Sequence, residues 1–327
     1  MKLLGILATL SIWELVQRGW DVLYRDYQWF ILRPLQVDLL ARSMEASILI
    51  GIVSGVVGSL VVVRGMSFFA DALAHTILPG VAYTYQRSRS VDDNSLFWGG
   101  MIAGLISAIT IGLLTRNERL RSDTAIGVVF AAMFALGVAM VSRVDSYAGD
   151  LSHILFGQIL GVSQQDLQNT LIFSVIVLAT VILFYKEFLV VSFDPILAKT
   201  MRLPTEFFRF LLLVLMAITI VVSLQIVGIA LMLALLVTPA ATASLMTKRL
   251  HSMMILAALI GAASSIIGFY ISFHLEIATG PSIVLTATGL FVFILIKQIV
   301  AQYGLFAFQR IRFVLSQPVT QSPESTN

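Results

Sequence analysis

The sequence predicts an all-α, polytopic membrane protein, on three observations. Of its 327 residues, 58% are hydrophobic and only 12% carry charge, whereas about a quarter of a soluble domain is charged. Its mean hydropathy is +0.93. The apolar residues also gather into runs long enough to cross a bilayer, parted by short segments that collect Lys and Arg. The chain has no Cys, so disulfides, thiolate metal ligands and a cysteine nucleophile are excluded, and any metal must be held by oxygen and nitrogen. The net charge of +3 is spread over loops without a basic, aromatic-rich patch, which argues against a nucleic-acid partner.

Residues 1–42 form an N-terminal apolar and interfacial segment. Leu3–Val16 is apolar but short for a span, and no convincing cleavage site follows it. Residues 17–42 mix Arg18, Asp21, Arg25, Asp26 and Arg33 with Trp20, Tyr24, Tyr27 and Trp29, the composition of a segment lying among lipid headgroups. An uncleaved signal-like anchor is the alternative. The apolar region, 43–304, holds about nine spanning runs near 43–63, 68–86, 96–115, 124–142, 168–185, 207–226, 227–246, 252–272 and 282–300. The two runs across 207–246 are nearly continuous, with Gly228 the expected break, so the count is eight or nine, plus one if Leu3–Val16 spans. Gly51, Gly55 and Gly58 suit close helix packing, and Pro239 among small residues suits a kinked, tightly packed helix. Residues 305–327 are a polar tail, expected to be disordered from Ser316.

Threading nine spans puts Arg64, the Arg116, Arg119 and Arg121 cluster, Lys186 to Arg209, Lys248, Arg249, Lys297, Arg310 and Arg312 on one side. That side is expected to be the cytoplasm, with the C-terminus in it. The other loops are sparse or balanced in charge, as in Arg87 and Arg89 against Asp92 and Asp93. The loop 143–167 contains DLSHILFGQILG, apolar but too short to cross, which fits a re-entrant or surface helix. His153 within it is read as a capping or packing residue, and His251 and His274 as surface residues.

Asp71 and His75, in FFADALAHTILPG, are the candidate metal ligands. Four residues apart in a helix, they project from one face. An Asp at the centre of a spanning helix costs about 2.5–3.5 kcal/mol on insertion scales, so it should face a cavity, a partner or an ion rather than lipid. Pro79 and Gly80 follow at once, where a break can open backbone beside the pair. On spacing alone, a hydrogen-bonded pair that merely joins helices and a functional pair both stand.

SFDPILAKTMRLP, 192–204, reads as a short helix outside the membrane over residues 195–203. Asp194 caps it, Pro195 suits its first turn, and Pro204 ends it. Ile196, Leu197 and Met201 are apolar, and Lys199 and Arg202 are basic. From these residues alone, a connector against lipid headgroups is slightly preferred over a docking element. The chain has no phosphate loop, no HExxH and no GxSxG, and no second carboxylate is placed beside Asp71 for acid and base chemistry. The protein is therefore not expected to be an enzyme, and an ATPase driving it would be a separate chain.

Six segments in order, RGMSFFADALAHTILPG (64–80), SDTAIG (122–127), HILFGQILGV (153–162), SFDPILAKTMRLP (192–204), VGIALMLALLVTPAATASLM (227–246) and GPSIVLTATG (280–289), resemble the transmembrane permeases of bacterial manganese, zinc and iron ATP-binding-cassette importers. The resemblance covers about residues 43–300, and the N-terminal 42 residues are longer than is usual in that family. It implies a type II importer-like permease in the bacterial inner membrane and a homodimer forming one pathway. It also implies a separate cytoplasmic ATPase and an extracytoplasmic metal-binding protein. By the same resemblance, Asp71 and His75 belong to a metal site in the pathway. Residues 192–204 become a coupling helix, with Asp194, Pro195, Ile196, Leu197, Lys199, Met201 and Arg202 at the ATPase, which reverses the preference for a connector. No tightly bound cofactor is implied; the divalent metal is cargo.

The physical reading agrees, since two chains about a twofold axis would bring two carboxylates and two imidazoles together. Mixed nitrogen and oxygen ligands suit manganese, iron or zinc better than magnesium or calcium. They do not choose manganese over zinc, because intrinsic affinity runs the other way. The alternatives are a gradient-driven secondary cation transporter that uses the pair as a proton and metal relay, and a non-transporting scaffold in which the pair only joins helices.

Overall fold

The computed structural model describes residues 36–88, 93–116, 120–142 and 161–315, with the side chains of the last helix through residue 301. Among the described residues every regular element is a helix. In chain order they are α1 (Asp38–Val63), α2 (Ser67–Thr76), α3 (Leu78–Ser88), α4 (Asp93–Leu114), α5 (Ser122–Val141) and α6 (Gln164–Leu183), then α7 (Tyr185–Phe193), α8 (Pro195–Thr200), α9 (Thr205–Met246), α10 (Leu250–Leu275) and α11 (Thr279–Leu315). Residues 1–35, the 143–160 segment with His153, and the tail beyond 315 lie outside the described residues.

Among the described residues seven helices are long and apolar enough to cross a membrane: α1, α4, α5, α6, the first part of α9 (Thr205–Ile229), α10 and α11 as far as Ala301. Leu231–Met246 is a shorter apolar helix beside them. The break in α9 falls at Gly228, with φ 75 and ψ 173, a region open in practice only to glycine. The expected run 68–86 is not one helix. It divides at Ile77 into α2 and α3, two residues before the expected break at Pro79 and Gly80. Pro79 has no N–H for the carbonyl four residues back, which is that of His75, so the interruption appears upstream of the proline. The Ile77 N–H turns to that carbonyl instead.

Helix α1 is the axis of the packing, in contact with α6, α9 and α10. Its glycines act as expected: a Cβ on Gly51 would stand 2.7 Å from the Gly261 backbone, and one on Gly55 would stand 2.6 Å from that of Ala257. Gly58 meets Leu236 and Ala240 in the second half of α9, and Gly80 on α3 meets Gly99 on α4. Such contacts replace the hydrophobic effect as the cause of helix association in lipid. Several buried hydroxyls are satisfied within the helices, as in Ser47 Oγ donating to Ser43 O at 2.8 Å and Ser59 Oγ to Gly55 O at 2.8 Å; Ser54 and Ser264 have no partner among the described residues. Ser265 Oγ donates across the α1–α10 contact to Ser47 O at 2.9 Å.

Long-range polar contacts tie two of the basic residues, Arg64 and Arg209, to neighbouring helices. Arg64 Nε donates to Ser192 Oγ at 3.0 Å, and Arg209 donates to Thr115 O at 3.0 Å and Gly112 O at 2.9 Å. Gln298 donates to Leu245 O. Elsewhere, Ser163 and Asp166 form a capping box at the start of α6, and Gln225 Nε2 reaches the Asp166 carboxylate at 2.8 Å, just before the Gly228 break. His251 is exposed as expected, whereas His274 is half-buried and in contact with the Tyr270 and Phe273 rings.

Candidate metal centre

Helix α2 buries one side and leaves the other partly open, with α5 covering only its His75 end. Phe69, Ala70, Ala72, Leu73, Ala74 and Thr76 are buried. Phe68, Asp71 and His75 share the opposite face, at the spacing of successive turns. Phe68 is 79% exposed, and the side chains of Asp71 and His75 are 49% and 28% exposed. The pair therefore stands on the surface of a single chain, about 6 and 12 Å of helical rise beyond the start of α2.

The imidazole is oriented by the main chain. His75 Nδ1 lies 2.9 Å from the carbonyl oxygen of Asp71. A carbonyl only accepts, so Nδ1 carries the proton and Nε2 keeps its lone pair in the neutral ring. The same nitrogen is 3.9 Å from the Asp71 carboxylate, too far for a hydrogen bond. The carboxylate is therefore not spent on its neighbour, and both groups remain available as ligands. A backbone acceptor on the second ring nitrogen is also how metal-binding histidines are commonly held.

Two rings that the sequence reading passed over complete the setting. Phe130 and Phe134 of α5 meet His75 edge-on at centroid distances of 5.7 and 6.0 Å, and stack on each other at 5.7 Å. Their four-residue spacing on a helix was the available signal. Among the described residues no group of three or more His, Cys, Asp or Glu could hold a metal ion, and Asp71 and His75 stand as a pair of candidate donors.

The second candidate region is α8. The Asp194 carboxylate accepts from Ile196 N at 3.1 Å and Leu197 N at 2.9 Å, and Pro195 is the first helical residue, as expected. The helix ends at Thr200, not at 203. Leu203 N donates to Ala198 O and Arg202 N to Lys199 O, each at 3.0 Å. This is a Schellman ending with Arg202 in the left-handed position, φ 58. Pro204 thus follows the stop rather than causing it. Ala198 is buried, while Ile196 is 77%, Met201 56% and Leu197 47% exposed, and Lys199 and Arg202 are exposed beside them.

Fold and site together define a multi-pass helical membrane protein that presents a carboxylate and an imidazole from a broken helix on an otherwise apolar surface. The family model "ABC 3 transport family" matches residues 36–298, and the chain belongs to that family. It is 44% identical over 257 residues to the "Manganese transport system membrane protein MntC" of Listeria monocytogenes, covering 79% of this chain and 90% of that protein. It is 36% identical over 266 residues to the "Chelated iron transport system membrane protein YfeD" of Yersinia pestis, covering 81% and 88%. Among solved structures it resembles a chain of "PsaBC from Streptococcus pneumoniae in complex with Fab", with a TM-score of 0.70, 38% identity, and 81% of this chain and 94% of that one covered.

Proposed function

We propose that this chain is the permease subunit of an ATP-driven importer of divalent transition metal, with manganese the first candidate and iron or zinc the others. Two copies enclose the pathway, and Asp71 and His75 from each form the transit site. The observation that carries this reading is a half-exposed carboxylate, with an imidazole turned by the Asp71 carbonyl so that Nε2 keeps its lone pair, on one face of a short apolar helix packed among the spanning ones. Such a carboxylate is costly against lipid. A second copy on the same face covers it and doubles the ligand set to two oxygen and two nitrogen donors, whose two negative charges balance a divalent ion.

The manganese and iron systems named for the relatives support a transition-metal cargo. Discrimination between these metals belongs with the extracytoplasmic binding protein that delivers the ion, because the ligand set alone favours zinc over manganese. A separate ATPase docks on the cytoplasmic side at α8, through Ile196, Leu197 and Met201 with Lys199 and Arg202 at the rim. The Lys- and Arg-bearing loops and the C-terminus are cytoplasmic, in the bacterial inner membrane.

The test is uptake by proteoliposomes holding the full complex. Asp71→Ala and His75→Ala should abolish metal uptake while dimerisation and ATPase association persist. Near-normal uptake by both variants would refute the site.

A further inference from the structure

Arg64 occupies a position that metal coordination and ATPase docking leave unused. It is the C-cap residue of α1, followed by Gly65 in the left-handed conformation at φ 66, and α2 begins at Ser67. Its guanidinium does not turn to solvent. Nε donates to Ser192 Oγ at 3.0 Å, near the end of α7 and two residues before the Asp194 cap of α8. The same side chain thus touches the segment leading into the docking helix and is joined through one glycine turn to the helix with Asp71 and His75.

The surroundings make this contact conditional. Burial, and then the nearby Arg209 guanidinium, pull the Arg64 pKa down to about 10. Arg64 Nη2 is buried with no hydrogen-bond partner among the described residues. Arg209 is held by the carbonyls of Gly112 in α4 and Thr115 just after it, and by Glu206 at 3.3 Å. Two cations and one carboxylate are thus confined where α1, α4, α7 and α9 meet, and the single bond from Arg64 to Ser192 holds one cation in place against the other.

We propose that Arg64 is a positioning residue for transport: through its bond to Ser192 it transmits displacement of the α7–α8 segment to the Gly65 turn and so to α2. Movement of α8 by a docked ATPase carries Ser192 with it, because α7 runs directly into the α8 cap. The guanidinium follows or releases, and either outcome alters the setting of the α1–α2 corner. Gly65 is suited to absorb the change, since nothing lies within 4 Å of a Cβ built there. This inference rests on the importer reading given above.

The experiment uses the full chain with its ATPase and binding protein in proteoliposomes supplied with Mn2+ and ATP. Uptake and ATP hydrolysis are measured together for wild type, Ser192→Ala, Arg64→Gln and the double variant. The expected result is about a tenfold fall in metal moved per ATP hydrolysed in each single variant, as for loss of a charge-assisted hydrogen bond. The double variant should be no worse than either single one. ATPase association should persist, and the melting temperature of Arg64→Gln should not fall, because removing a buried cation beside Arg209 relieves desolvation and repulsion.

Ser192→Ala removes one hydroxyl and decides the matter alone should Arg64→Gln not fold. Unchanged metal per ATP in a wild-type-active system overturns the proposal, as does a loss seen only together with loss of ATPase association. Absence of ATP-dependent uptake by the wild type is a different outcome, which removes the importer reading and the proposal with it.

Discussion

His75 Nδ1 lies 2.9 Å from the main-chain oxygen of Asp71 but 3.9 Å from that residue's carboxylate. The backbone, not the acid, therefore sets the tautomer. Asp71→Asn should lower metal affinity more than tenfold, yet leave the Nδ1-protonated form of His75 intact by nitrogen NMR. A change of tautomer in that variant would show that the carboxylate holds the ring. His75→Gln removes the Nε2 donor and should be as damaging to affinity, with the helix itself unaffected.

The exposed face of α8 gives a docking prediction. Reversing charge at Lys199 and Arg202 together should weaken ATPase association or its stimulation, as should Ile196→Asp. Unchanged co-purification and unchanged metal-coupled hydrolysis would count against α8 as the docking helix.

The two ends of α8 can be tested separately. Asp194→Ala removes the acceptor for two backbone N–H groups and should cost about 1 kcal/mol locally. Arg202→Gly should stabilise the ending by up to about 1 kcal/mol, because the left-handed position strains any side chain. Arg202→Val should be worse than either. Hydrogen exchange of the Ala198 to Leu203 amides reads all three, and faster exchange in Arg202→Gly would contradict the Schellman assignment.

Gly228 and Gly80 make a pair of stability predictions with different causes. Gly228→Ala places a Cβ on a backbone with φ 75 and ψ 173 and should cost about 1–3 kcal/mol. Gly80→Val drives a side chain into the Gly99 backbone and should cost about as much through overpacking. Thermal unfolding in detergent measures both. Gly99→Ala, whose Cβ would stand 2.5 Å from the Gly80 carbonyl oxygen, should be destabilising by itself, and its cost should not simply add to that of Gly80→Val, which disturbs the same contact.

Local chemistry was legible in the sequence and tertiary chemistry was not. Asp194 and Pro195 announced the start of α8 because a cap acts within three residues, and Gly228 announced its break because no other residue takes that backbone. The end of α8 was misplaced because Arg202 adopts a conformation its identity does not advertise, and Pro204 offered a nearer explanation. The break beside His75 was expected at the proline but appears upstream, where the missing N–H leaves its gap. Asp71 and His75 stood out as ionisable groups in an apolar run. Phe130 and Phe134 did not, because aromatic residues in a spanning helix are ordinary until the fold lays α5 against α2. The bond from Arg64 to Ser192 joins residues 128 positions apart, and no local pattern marks it.

The central claim is an ion shared by two copies of this chain at Asp71 and His75. Its most direct test is the Mn2+ stoichiometry of the purified, full-length protein by electron paramagnetic resonance titration, with His75→Gln alongside. One ion per two chains, absent from the variant, is the predicted result. One ion per chain, or binding that survives His75→Gln unchanged, would contradict it.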